Sequence, residues 1–237
     1  AAELVRLGDV HAGDPLVARP LCDLLVAQLG AEAGLQEELA REGAVVLPAK
    51  VLETLATDAE CVAAAARALK SFAHASALAR RYMQRLEAAV ALYNTLGRHS
   101  SSPAAVHAVL GALASVSLEP KVRCQLVSPD RPGTWKALDG IARVAEAAVD
   151  GDADVLAQAC LAVGALTAAE AVETRKKMRE EVDWEPLVRR VHAVYPQSAA
   201  TVSEHYCDLL VKRAARSDLR PWRLLTETGE EAHALQP

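Results

Sequence analysis

The sequence predicts an all-α fold, a right-handed solenoid of stacked helical units, on three observations. Hydrophobic residues make up 51% of the 237 residues but aromatics only 3%, so the core is drawn from Ala, Leu and Val. Ala and Leu favour helix, and runs of β-branched and aromatic residues at strand spacing are nearly absent. The chain also repeats: Val17, Val62, Val106, Val155 and Val202 sit 45, 44, 49 and 47 residues apart. A fixed period of this size is the mark of stacked supersecondary units that bury one continuous core.

Each anchor valine follows a helix breaker: Asp14-Pro15, Thr57-Asp58, Ser102-Pro103, Gly151-Asp152 and Pro196-Gln197-Ser198. Seven residues past the anchors lie Leu24, Leu69, Leu113 and Leu209, with Ala162 between Leu161 and Val163 in the remaining copy. Positions four and seven apart share a helix face, so every copy shows the same apolar stripe. The stretch DAECVAAAARALKSFAH (58–74) is the clearest such helix, its stripe trimmed to methyl groups for close packing.

Two shorter helices fit before each of these. In the first full round, 31–43 reads as a short amphipathic helix ending at Gly43, and 45–57 as a second with Pro48 near its start, where proline is tolerated. The next round gives 76–84, 85–97 and 103–118. The third gives a loop-rich 119–134, then helices 135–149 and 152–167; the fourth gives 169–182, 184–194 and 198–216. The order is short, medium, long, with a turn each time.

A three-helix unit of this length resembles the armadillo repeat. The best local matches are REGAVVLPAKVLETLATDAECVAAAARALKSFA (41–73) and KALDGIARVAEAAVDGDADVLAQACLAVGALT (136–167). Each runs from a Gly through a Leu/Val-rich second helix and an acidic turn to an Ala-rich third helix. The resemblance implies about four armadillo-like repeats over 14–216, with 1–13 an N-terminal cap or truncated repeat and 217–237 a C-terminal tail or cap. HEAT-like units, with two helices and usually shorter, are the alternative. In the armadillo family the third helices line a concave surface, and peptide-binding members carry Trp and Asn there, four residues apart. The matching positions hold Arg67 and Ser71, then Gly111 and Ser115, then Cys160 or Leu161 with Ala165. This sequence therefore lacks the Trp/Asn pairs.

Charge and cysteine usage narrow the function. The net charge is −5, with 15 Lys/Arg against 21 Asp/Glu in 1–174 and 11 against 7 in 175–223. Five cysteines, Cys22, Cys61, Cys124, Cys160 and Cys207, are far apart and never in a CxxC, which suits neither a zinc site nor a disulfide framework. Cys22, Cys160 and Cys207 each fall five residues after an anchor valine, a repeat-equivalent slot that reads as packing. Reduced thiols, no 18-residue uncharged apolar run and no basic-then-apolar leader pattern lead to a cytoplasmic expectation, with nuclear, cytoskeletal or ciliary association compatible. The sequence opens on Ala1, without Met.

No nucleotide, nucleophile-elbow, zinc-protease or EF-hand motif occurs, and the seven histidines are scattered among the units. The expectation is a chain without enzyme activity, metal or cofactor. It would be a scaffold or adaptor, a subunit of a larger assembly, that binds a protein partner along its third helices. Arg67, Ser71, His74, His107 and Ser115 are the candidate contacts there. Lys212, Arg213 and Arg216 would add a basic end that suits an acidic segment. RNA or DNA binding by that basic end is the alternative, although stacking aromatics are few.

Overall fold

A computed structural model describes residues 2–31, 33–117, 119–126 and 136–148, together with separate helical positions between 154 and 166. The described residues form helices and turns, with no strand among them. Ten helices follow in order: α1 (Ala2–His11), α2 (Pro15–Ala31), α3 (Ala33–Arg41), α4 (Val46–Thr54), α5 (Ala59–Ala75), α6 (Ala77–Arg85), α7 (Ala88–Arg98), α8 (Pro103–Val116), α9 (Pro120–Leu126) and α10 (Lys136–Ala148).

Local chemistry sets the boundaries. Asp58 caps α5, its carboxylate accepting from the backbone N–H groups of Glu60 and Cys61, each at 2.9 Å. Forty-four residues earlier, Asp14 accepts from Leu16 N–H at 3.0 Å at the start of α2. Ser76 ends α5 and caps α6, its hydroxyl accepting from Ala79 N–H at 3.1 Å. Pro103 opens α8, where the missing N–H costs nothing. The turn from first to second helix uses left-handed backbone twice, at Gly43 with φ 84° and at Glu87 with φ 49°. Glycine adopts that conformation without penalty; Glu87 adopts it against its Cβ.

Packing sorts the helices into three rows. The long helices α2, α5 and α8 lie side by side; α1, α4, α7 and α10 form a second row; α3, α6 and α9 form a third. Each helix touches its counterpart one unit away, and α4 packs on α5 and α7 on α8 within a unit. Hydrogen bonds between units keep the same beat. Thr54 donates to the Ala12 carbonyl, Ser76 to Glu37, and Gln125 to the Gln84 carbonyl, while His99 Nε2 lies 2.9 Å from the Ala56 carbonyl. These pairs are separated by 42, 39, 41 and 43 residues. A helix bundle with arbitrary topology would scatter these separations; a solenoid makes them equal. The fold is an all-α solenoid of three-helix units.

The core is correspondingly small-residue and continuous. Ala64, Ala65, Ala66 and Ala68 of α5 are fully buried beside Val62, Leu69 and Phe72. Beyond α10, Val155, Ala159, Ala162 and Leu166 are helical and buried at spacings of four, three and four, which continues the row of third helices.

One expectation is corrected. The stretch 119–134 was expected to be loop-rich, yet Pro120–Leu126 is α9, in the first-helix row. Val122 and Leu126, one turn apart, are buried and hold this short helix down. The fourth unit at 169–216 and the tail at 217–237 lie outside the described residues.

Candidate functional site

The row α2–α5–α8 carries the candidate contacts. On α5 the apolar stripe faces inward, and the polar residues Glu60, Arg67, Ser71 and His74 follow one another seven, four and three residues apart, on one edge. That edge is where α5 meets its neighbours, and the structure joins most of its polar groups across the gaps. Arg67 pairs with Asp23 of α2 at 2.9 Å, both about half exposed at 46%. Glu60 pairs with Arg19 of α2. Toward the other side, His74 Nε2 lies 2.8 Å from Ser115 Oγ of α8.

Ser115 is 4% exposed and is reached from the surface through His74, which is exposed. Its hydroxyl donates to the Gly111 carbonyl at 2.9 Å, one helical turn back. Which of the two groups donates in the contact with His74 Nε2 is set by the imidazole tautomer. The pair clasps α5 to α8.

Gly111 marks a close approach. A Cβ there would meet Gln158 Oε1 at 2.9 Å and Lys70 Nζ at 3.2 Å. The absent side chain lets polar arms from the helix before and the helix after cross the α8 backbone. Ser71 and His107 are half-buried on α5 and α8. Lys212, Arg213 and Arg216 lie outside the described residues. Of the expected contacts, His74 and Ser115 are thus brought together, and Arg67 is brought to Asp23.

Arg19, Asp23, Glu60, Lys70 and Gln158 were not singled out from the sequence. A signal for two of the pairs was present: Arg19 and Glu60 are opposite charges 41 apart, and Asp23 and Arg67 are 44 apart. Opposite charges separated by one repeat face each other across stacked helices.

The two described thiols of this row, Cys22 and Cys61, are held in their protonated form. Burial pushes Cys22 up to about 12, aided by nearby Asp23, and pushes Cys61 up to about 11, aided by Asp58. Both side chains are buried. No cluster of three or more His, Cys, Asp or Glu that could hold a metal occurs among the described residues. No helix among them is long and apolar enough to cross a membrane.

No family model matches the sequence, and no curated protein matches it. Among solved structures, a designed armadillo repeat protein is similar over 88% of this chain and 99% of its own length, at 15% sequence identity and a TM-score of 0.48.

Proposed function

We propose that this chain is a non-catalytic scaffold of the armadillo type, an adaptor or assembly subunit that holds a partner protein along its row of third helices. The observation that carries this reading is the polar edge that runs across α2, α5 and α8 and is tied from helix to helix. Arg19 and Asp23, then Glu60, Arg67, Ser71 and His74, then His107 line up over a stack of alanine-rich helices. The side-to-side clasps fix these groups in position while leaving their outer faces in water, so a partner meets a preorganised surface. Each exposed pair adds only about 0–1 kcal/mol to stability, so the ion pairs are weak staples.

The partner is a protein rather than a small molecule, because the edge is a broad strip spanning three helices. The absence of Trp/Asn pairs means that an extended peptide is not held by the family's backbone-binding asparagines. Lys212, Arg213 and Arg216 extend the proposal to an acidic segment of the partner at the C-terminal end. A cytoplasmic setting belongs to the same reading.

Crosslinking mass spectrometry on the native complex tests it, joined to the triple variant Arg67→Glu, Ser71→Arg and His74→Glu. Crosslinks concentrated on the third helices, with partner recovery lost in the variant, are expected. Crosslinks confined to the rows α1–α4–α7 or α3–α6–α9, with recovery unchanged, would overturn the proposal. Charge reversal of Lys212, Arg213 and Arg216 tests the acidic-segment component separately. Affinity falling steeply with added salt, for nucleic acid in place of protein, would identify the RNA or DNA alternative.

A further inference from the structure

We infer that the junction between α5 and α8 seats one carboxylate side chain, an Asp or Glu of the partner protein, on Lys70 above Gly111. The inference rests on the scaffold reading and names a chemical group that the row takes. This junction lies inside the row, not at its end. Helix α2 lies against α5 on one side, and the buried helical positions Val155, Ala159, Ala162 and Leu166 continue the row on the other. The neighbouring units are therefore already in place.

The two junctions of the row differ in charge. Between α2 and α5 the charges cancel, because Arg19 pairs with Glu60 and Arg67 with Asp23. Between α5 and α8 they do not. Helix α8, PAAVHAVLGALASV, has no Asp or Glu, and α5 beyond Arg67, ALKSFAHA, adds Lys70 and His74 and no acid. No carboxylate among the described residues pairs with Lys70. Asp154, one turn ahead of Gln158, has an interaction of its own. Lys70 is half-buried, so its ammonium has lost part of its water without meeting an opposite charge. Such a group gains from an anion that arrives with a partner.

The geometry of the seat comes from Gly111. It is the repeat counterpart of Arg67, each five residues past its anchor valine. Where α5 extends an arginine, α8 extends nothing, and two long side chains end in the room that is left. Lys70 Nζ comes within 3.2 Å and Gln158 Oε1 within 2.9 Å of the point a Cβ would occupy, one from the helix before and one from the helix after. A carboxylate arriving over Gly111 accepts from the Lys70 ammonium, and a half-turn of the Gln158 amide adds a second donor. Lys70 brings one charge, which matches a carboxylate better than the charge of about −1.5 to −2 on a phosphate.

The test uses the full chain and a displayed library of random peptides, selected separately on the parent chain and on Lys70→Glu. Peptides that photo-crosslink to the third-helix row are carried forward. Asp or Glu at one fixed position is expected in those selected on the parent, and Lys or Arg there in those selected on Lys70→Glu. By fluorescence polarisation, Lys70→Gln should weaken a parent-selected peptide by about tenfold or more, the effect of one charge-assisted hydrogen bond. Gly111→Ala should weaken it too, because its methyl displaces both side-chain ends. Alanine favours helix over glycine, so the melting temperature of that variant should not fall, which separates a lost seat from a lost fold. Row-bound peptides with no acidic preference, or with affinity unchanged in Lys70→Gln, overturn the inference and leave the scaffold reading standing. So does tighter binding when phosphoserine replaces the selected acid. Failure to select any peptide, or crosslinks only outside the row, overturns both.

Discussion

The two left-handed turn residues supply a prediction with opposite signs at equivalent places. Gly43 and Glu87 sit 44 residues apart at the same turn between first and second helix, with φ of 84° and 49°. A Cβ at Gly43 would meet nothing within 4 Å, so Gly43→Ala changes backbone energy and not packing. Left-handed backbone costs an L-residue about 1–2 kcal/mol, while the stiffer unfolded chain returns about 0.4–1 kcal/mol. The net is a loss of about 1 kcal/mol. Glu87→Gly runs the same cycle in reverse and should stabilise by a similar amount, since the Glu87 side chain is exposed. For a chain of this size, each should move the melting temperature by about 2–4 °C, downward for Gly43→Ala and upward for Glu87→Gly. Thermal melts followed by circular dichroism, with urea titrations as a second measure, read both. If Gly43→Ala is neutral, or Glu87→Gly lowers the melting point, the reasoning from backbone strain is wrong.

Other expectations concern the third-helix row. Asp58→Ala removes both cap bonds of α5 and should cost about 1 kcal/mol, whereas Ser102→Ala, whose hydroxyl makes no cap bond to α8, should be close to neutral in the same melts. Ala66→Leu forces three carbons into a site with no exposure and should cost about 1–3 kcal/mol; Leu69→Ala leaves a cavity and should cost about 2–5 kcal/mol. Folding should also weaken in alkali. Cys22 and Cys61 hold their protons to about 12 and 11 when folded but ionise near 8.5 when unfolded, so above about pH 8.5 the native state binds more protons and stability falls as pH rises. A double Cys22→Ala and Cys61→Ala variant should flatten the melting temperature between pH 8 and 10 relative to the parent chain. Labelling of both thiols by a maleimide in the native state should be far slower than in urea.

The sequence made the long helices readable because their identity rests on two local signals that agree: a breaker, then an Ala/Leu stripe at helical spacing. The Ala run of α5 is the clearest instance, and its burial follows from its place between α2 and α8. Helix α9 escaped notice for the opposite reason. Seven residues with two prolines nearby offer little periodicity, and only Val122 and Leu126 meeting the core make them a helix. The candidate contacts were legible as polar interruptions of α5 but not as clasps. That His74 reaches Ser115, or Arg67 reaches Asp23, depends on how far one unit is rotated and shifted against the next, which no single helix encodes. Only the recurrence of partners one repeat apart hints at it.

The constant separation of the ties between units has a mechanical consequence. When the described units are held at both ends and pulled, the load is carried from each unit to the next, since each of the ties named above closes a loop of about one unit. Units would let go one after another, each paying out about 150 Å of slack for the 44 residues between Val62 and Val106. A molecule wired in this way is a graded extension spring, with a length set by how many units hold at a given tension.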